Sequence, residues 1–224
     1  MSAKVPAANT SIDRRSFVVA ALACLLPARS MGQQRQTNVR PFFTGQKILI
    51  VYLSRTHNTK AVAELIHQNV GGTIVALELE RPYPADYDET VQQVARENET
   101  GYLPPLKTEI DRIEQYEVVF LGFPTWGMQL PPPVKSFLRQ HDFAGKTVVP
   151  FNTNAGYGVG SSFQTVRDQC PRSTVLEGFT TRGGVERDGQ GLVITGVRAS
   201  EVQADLESWL RRTSPVASRS GVSR

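Results

Sequence analysis

The sequence predicts an α/β fold: a three-layer sandwich built on a five-stranded parallel sheet with helices on both faces. Three observations lead there. Short apolar runs rich in Val, Ile and Phe alternate with amphipathic stretches, as in strands joined by crossover helices. The runs lack the polar alternation of a half-exposed strand, so they read as buried on both faces. Finally, the segments with binding chemistry follow the strands, and in such sheets ligands sit beyond the carboxyl ends of the strands, where the strand order reverses.

Taken in order, residues 47–53 (KILIVYL) form the first strand, and residues 58–72 form a helix that ends at Gly71 and Gly72. On that helix Ala61, Leu65 and Ile66 share one face. Residues 73–79 are the second strand, and the longer connection 80–108 contains a helical stretch at 86–100. Residues 117–123 (EVVFLGF) are the third and most apolar strand. A helix at 132–142 opens on proline, where the missing N–H does no harm. Residues 146–152 are the fourth strand, 161–170 a helix and 174–181 the fifth strand. A closing helix at 200–212 turns Val202, Leu206, Trp209 and Leu210 inward.

The chain has 224 residues, 40% apolar and 21% charged, with a net charge of +4. These are ordinary values for one domain with tails. The basic excess lies at the ends, and the stretch between them carries 17 basic against 20 acidic residues. No basic patch of the kind that binds nucleic acid is indicated. Residues 1–30 read as an export signal: Arg14 and Arg15, an apolar run of about ten residues, then Pro27 and small residues. That run is shorter than the ~20 residues needed to span a bilayer, so no stable membrane insertion is expected once the signal is cleaved. RRSFVV resembles the twin-arginine export motif, with Asp13 in place of the usual Ser or Thr, and implies a periplasmic destination. Cleavage fits after Ser30 or Gly32, and Cys24 faintly suggests a lipoprotein site instead. Residues 31–45 read as a flexible linker, 46–212 as the folded domain and 213–224 as a disordered tail. After cleavage only Cys170 remains, so no internal disulfide forms.

Three strand ends carry chemistry. The first is SRTHNT, residues 54–59, which leads into a helix N-terminus, where free N–H groups and the helix dipole favour an anion. Ser54, Thr56, Asn58 and Thr59 add side-chain donors, and no carboxylate opposes them. The nest suits a monophosphate, since the G-x-x-x-x-G-K-[ST] pattern of a triphosphate loop is missing. The plainer reading is a helix cap by Asn58 or Thr59. The second is GFPTWGMQLPPP, where Trp126 lies beside Gly127 and can rest against a flat ring; otherwise it covers the core. The third is NTNAGYGVGSS, where Gly156, Gly158 and Gly160 space Tyr157; by itself this is a glycine-rich loop. In a sheet ordered 2-1-3-4-5, the order expected here, the three loops converge on one crevice, with a phosphate site at one end and two aromatics about a planar ring at the other. That describes a flavin mononucleotide (FMN).

On these motifs residues 46–212 resemble the flavodoxin family, so the expected architecture is flavodoxin-like. YLSRTHNTKAVAELI is similar to that family's phosphate loop and first helix, and the other two loops are similar in position to those flanking its flavin ring. The resemblance implies phosphate binding by Ser54, Arg55, Thr56, His57, Asn58 and Thr59. It implies ring contacts from Pro124, Thr125, Trp126, Gly127 and Met128, and from Asn154, Ala155, Gly156, Tyr157 and Gly158. His57 stands where the family has glycine. It either tolerates a positive φ there or turns its imidazole toward the phosphate, and the second is the expectation. The two ring loops hold no charged residue, which implies a flavin less strongly reducing than in very acidic flavodoxins. The Gly127–Met128 peptide is the candidate partner for flavin N5.

Two functions fit this scaffold. One is an electron carrier that serves a redox partner protein and has no substrate pocket of its own. The alternative is an FMN oxidoreductase that takes hydride from NAD(P)H and reduces a quinone or similar acceptor. Export favours the carrier, because free NAD(P)H is expected to be scarce outside the cytoplasm. A flavin-free interaction module is a third possibility. The histidines His57, His67 and His141 form no nucleophile–base pair, and no catalytic or metal-ligating residues are expected.

Overall fold

Every sheet pairing is parallel, as the unbroken apolar strands required. The computed structural model describes residues 43–214. The expected export signal therefore lies outside the described residues, as do linker residues 31–42 and tail residues 215–224. The elements run β1 (Ile48–Tyr52), α1 (Asn58–Val70), β2 (Thr73–Ala76), α2 (Tyr87–Thr100), β3 (Val118–Pro124) and α3 (Pro132–Gln140). Then come β4 (Thr147–Asn154), α4 (Ser162–Gln169), β5 (Thr174–Val175), β6 (Phe179–Arg182) and α5 (Gly196–Thr213). The strand order is β2-β1-β3-β4-β5, with β6 also paired to β4, so the expected 2-1-3-4-5 topology is what the chain adopts.

Period-two alternation sends the side chains of β1 and β3 to opposite layers. Leu49, Val51, Val119, Leu121 and Phe123 pack with Val134, Phe137 and Val166 of α3 and α4. Ile48, Ile50, Val118 and Phe120 pack with Val62 and Ile66 of α1 and with Val202, Leu206, Trp209 and Leu210 of α5. Phe120 lies edge-on to Phe43, ring centroids 5.3 Å apart, and to Trp209 at 6.4 Å. Phe43 is 1% exposed, so the folded region begins inside the stretch expected to be linker. At the other end Ser214 is buried, and its hydroxyl accepts the Phe43 N–H at 3.5 Å.

The fifth strand is not the single run expected at 174–181. Both β5 and β6 pair with β4, but the chain leaves the ladder between them. There the Glu177 carbonyl accepts the Trp209 indole N–H at 3.1 Å, and the Phe163 ring crowds Gly178. β2 is also shorter than expected. After Ala76 the chain turns to its own connection: Leu79 bridges Leu106, and the Lys107 N–H donates to the Glu78 carbonyl at 2.9 Å.

Candidate functional site

The segment between β1 and α1 presents donors before it presents side chains. The first bond of α1 runs from the Ala61 N–H to the His57 carbonyl at 2.9 Å, and Ser54 Oγ accepts the Lys60 N–H at 3.2 Å. Among the described residues, the N–H groups of residues 55–59 have no protein acceptor. Donors left over at a helix start, together with the helix dipole, suit an anion.

The side chains divide sharply. Asn58 is 2% exposed and wholly engaged within the protein. Its Oδ1 accepts the N–H groups of Val193 at 3.0 Å and Ile194 at 3.3 Å, and its Nδ2 donates to the Gly191 carbonyl at 2.9 Å. The expectation of a side-chain donor at Asn58 is thereby corrected: the amide braces a distant loop, and only its N–H is left for an anion. Asn58 Nδ2 also donates to Thr56 Oγ1 at 3.0 Å, which directs the Thr56 hydroxyl proton elsewhere and so pre-orients it as a donor. The Thr59 and Thr153 hydroxyls lie 2.8 Å apart and share one proton between them, leaving the other to give.

Arg55 is corrected in the same way. Its Nε donates to Glu186 at 2.6 Å, and its two terminal nitrogens donate to the carbonyls of Pro84 and Ala85, each at 2.8 Å. The guanidinium ties three segments together and contributes field to the cleft, with three of its five N–H groups taken within the protein. The expectation for the His57 imidazole also changes. His57 is exposed, makes no side-chain hydrogen bond among the described residues, and holds φ 63°. The position demands a left-handed residue. His57→Gly is therefore expected to raise stability by about 0.5–1 kcal/mol, the relieved strain exceeding the extra chain entropy of glycine. Urea denaturation measures this, and a loss of stability would show that the imidazole has a structural role.

The two ring loops are fastened to each other. Thr125 Oγ1 donates to the Gly158 carbonyl at 2.9 Å and accepts from Asn152 Nδ2 at 3.0 Å. The Ser161 N–H donates to the Met128 carbonyl at 3.0 Å. Asn154 organises the second loop, its Oδ1 accepting the N–H groups of Gly156 at 2.8 Å and Gly158 at 3.2 Å. In the first loop, Gly127 (φ 54°) and Met128 (φ 60°) form a turn closed by the Gln129 N–H on the Trp126 carbonyl at 3.0 Å. Two successive positive φ values mark a type I′ turn. Trp126 lies edge-on to Tyr83, centroids 5.3 Å apart, and packs partly on the core, so the plainer reading of this residue is also partly met. Tyr83 donates a short hydrogen bond to Glu97, and burial together with that bond holds its phenol far above the ordinary range.

Together these segments wall a cleft of about 400 Å³, within the range of small-molecule sites. The expected residues Arg55, Thr56, Asn58 and Thr59, Pro124, Thr125, Trp126, Gly127 and Met128, and Asn154, Ala155, Tyr157 and Gly158 all line it. Ser54, His57 and Gly156 stand outside its wall. A further segment that the sequence reading passed over also enters. Gly183, Gly184, Val185, Glu186 and Arg187 follow β6 and close one side of the cleft, as does Tyr87. The two ring loops themselves carry no charge, but this segment brings Glu186 and Arg187 to the cleft; among the described residues Glu186 is the only carboxylate lining it, and it is paired with Arg55. The signal was present in RGGVERDGQG, a glycine-rich stretch at the end of the last strand.

A doubly wound parallel sheet with such a cleft at its carboxyl edge defines the doubly wound α/β class, whose ligands bind at that edge. Within that class, the family model described as Flavodoxin matches residues 47–190, and the chain belongs to the flavodoxin family. Among solved structures it is similar to a candidate flavoprotein of Bacteroides eggerthii, at 28% identity and TM-score 0.58, covering 73% of this chain and 97% of that one. A candidate flavoprotein of Bacteroides uniformis has 24% identity and TM-score 0.60, with coverage of 73% and 99%. A Lactobacillus acidophilus flavoprotein, solved in complex with FMN, has 23% identity and TM-score 0.54, with coverage of 65% and 98%. The comparison with curated proteins returned no match.

Proposed function

We propose that this flavodoxin-family protein binds FMN in the cleft and serves as an electron-transfer flavoprotein. The observation that carries this reading is the donor nest at the start of α1: backbone N–H groups without protein acceptors beside the pre-oriented Thr56 hydroxyl. Those groups and the Thr59–Thr153 pair would hold the phosphate, and the loops of Trp126 and Tyr157 would flank the ring. FMN supplies one- and two-electron redox chemistry; the chain positions it and tunes it through nearby charge. Among the described residues no unpaired carboxylate lines the cleft, which supports a less strongly reducing flavin.

The Gly127–Met128 peptide is the adjustable element. Inverting it converts the type I′ turn to type II′, which returns Met128 to negative φ and leaves Gly127 in a conformation open to glycine. Anaerobic titration with dithionite tests the carrier reading. Two separate one-electron steps, with slow oxidation of NADH and NADPH, are expected. A single two-electron step with rapid NAD(P)H oxidation would move the assignment to the oxidoreductase. That second reading has one observation in its favour, a cavity beside the cleft that a simple carrier does not need. Export through the N-terminal signal belongs to this proposal as well. Cell fractionation tests it, and full-length protein confined to the cytoplasm counts against it.

A further inference from the structure

We propose that a slot between α2 and the loop carrying Trp126 binds a small, flat, uncharged aromatic molecule of the quinone class. The slot measures about 450 Å³ and adjoins the cleft, sharing Arg55, Tyr87, Thr125, Trp126, Gly127 and Glu186 with it. Its long wall is one face of α2. Tyr87, Val91, Val94 and Asn98 fall at spacings of four, three and four residues, a stripe of about 16 Å at 1.5 Å per residue. Such a stripe normally seats a helix on the core. Here Val94 is buried, at 5% exposed, but no α2 residue joins either of the two main core clusters, and Val91 is 46% exposed.

The chemistry of the slot selects its ligand. Val91, Val94 and Ala95 give an apolar wall, and Tyr87 and Trp126 add aromatic surface, which suits a flat apolar body. Arg55 gives three of its five N–H groups to Glu186, Pro84 and Ala85, and the two carboxylates that line the slot, Glu99 and Glu186, outnumber its single cation. An anionic ligand, including the pyrophosphate of a pyridine nucleotide, is disfavoured there. Lys135 Nζ donates to Asn98 Oδ1 at 2.8 Å, which fixes that amide with its NH₂ group left to give. A donor at the end of an apolar slot matches a carbonyl oxygen. Binding depends on protein walls alone, whereas the redox consequence rests on the flavin reading. A quinone seated there takes two electrons from the reduced flavin and two protons from solvent, giving the quinol and the oxidised flavin.

Calorimetry with 2-methyl-1,4-naphthoquinone and with its charged counterpart 1,4-naphthoquinone-2-sulfonate tests the site, on protein with and without added FMN. Saturable 1:1 binding of the neutral quinone is expected, with the sulfonate at least tenfold weaker. Val91→Trp fills the slot from an exposed helix position, so it should fold normally, bind FMN as the parent does, and lose quinone affinity at least tenfold. No saturable binding, equal binding of the sulfonate, or undiminished binding by Val91→Trp overturns the proposal. If Val91→Trp folds but loses FMN, the slot is part of the flavin cleft and the proposal also falls. If the parent binds quinone in this pattern but takes up no FMN, the slot stands and the flavin reading fails.

Discussion

Asn58→Ala is expected to lower stability by about 2–4 kcal/mol, read as a fall in the urea midpoint with the slope unchanged. One buried side chain bonds the start of α1 to Gly191, Val193 and Ile194, more than 130 residues away. Alanine would leave the Val193 and Ile194 N–H groups without an acceptor, and each buried orphan costs about 1–3 kcal/mol. Water reaches half-buried Val193 more easily than Ile194, which is 3% exposed, and this keeps the total below the simple sum. Asn58→Asp adds a charge to the same brace. The carboxylate keeps an acceptor for both N–H groups, but its second oxygen takes the place of Nδ2 and faces the Gly191 carbonyl in a site 2% exposed, so stability should fall at least as far as for alanine. The same charge faces the proposed phosphate, so FMN affinity should fall at least tenfold. A change under about 1 kcal/mol in the alanine variant would mean that the brace is not structural.

Gly160→Ala has the second large effect, on the joint between the two ring loops. A Cβ on Gly160 would lie 2.0 Å from the Met128 carbonyl oxygen and 2.6 Å from its carbon. These are main-chain atoms, so no side-chain rotation relieves the clash and the loops must part. The Ser161 N–H would lose the Met128 carbonyl, and the turn at Gly127 and Met128 would shift. The expected loss is about 2–4 kcal/mol from overpacking and left-handed strain together, accompanied by weaker FMN binding. Gly127→Ala is the control. Gly127 has nearly the same φ, +54° against +55°, but nothing lies within 4 Å of its added Cβ. It should lose only about 1 kcal/mol, the left-handed cost alone. Equal losses in the two variants would show that backbone strain, not loop contact, governs this region.

The sequence made the sheet legible because its strands carry the signal locally. β1 and β3 are unbroken apolar runs, and the inward face of α5 follows from four residues at helical spacing. The break between β5 and β6 was not legible, since it depends on the Trp209 indole drawing off the Glu177 carbonyl from across the fold. The site divided in the same way. Its loops were found because glycine, proline and aromatic residues cluster at strand ends. The duties of individual side chains were not, because Arg55 answers to Glu186 and Asn58 to Val193, each partner supplied by a loop far along the chain. His57 shows the limit most plainly: its type suggested a charge-assisted contact, but the backbone conformation is what the position requires.

The most direct test is a titration of the flavin-free protein, from Met31 onward, with FMN, followed by quenching of flavin fluorescence. The account predicts saturation at one FMN per chain and at least tenfold weaker binding of riboflavin, which lacks the phosphate held at the start of α1. Equal affinity for FMN and riboflavin, or no saturable binding of either, would contradict it.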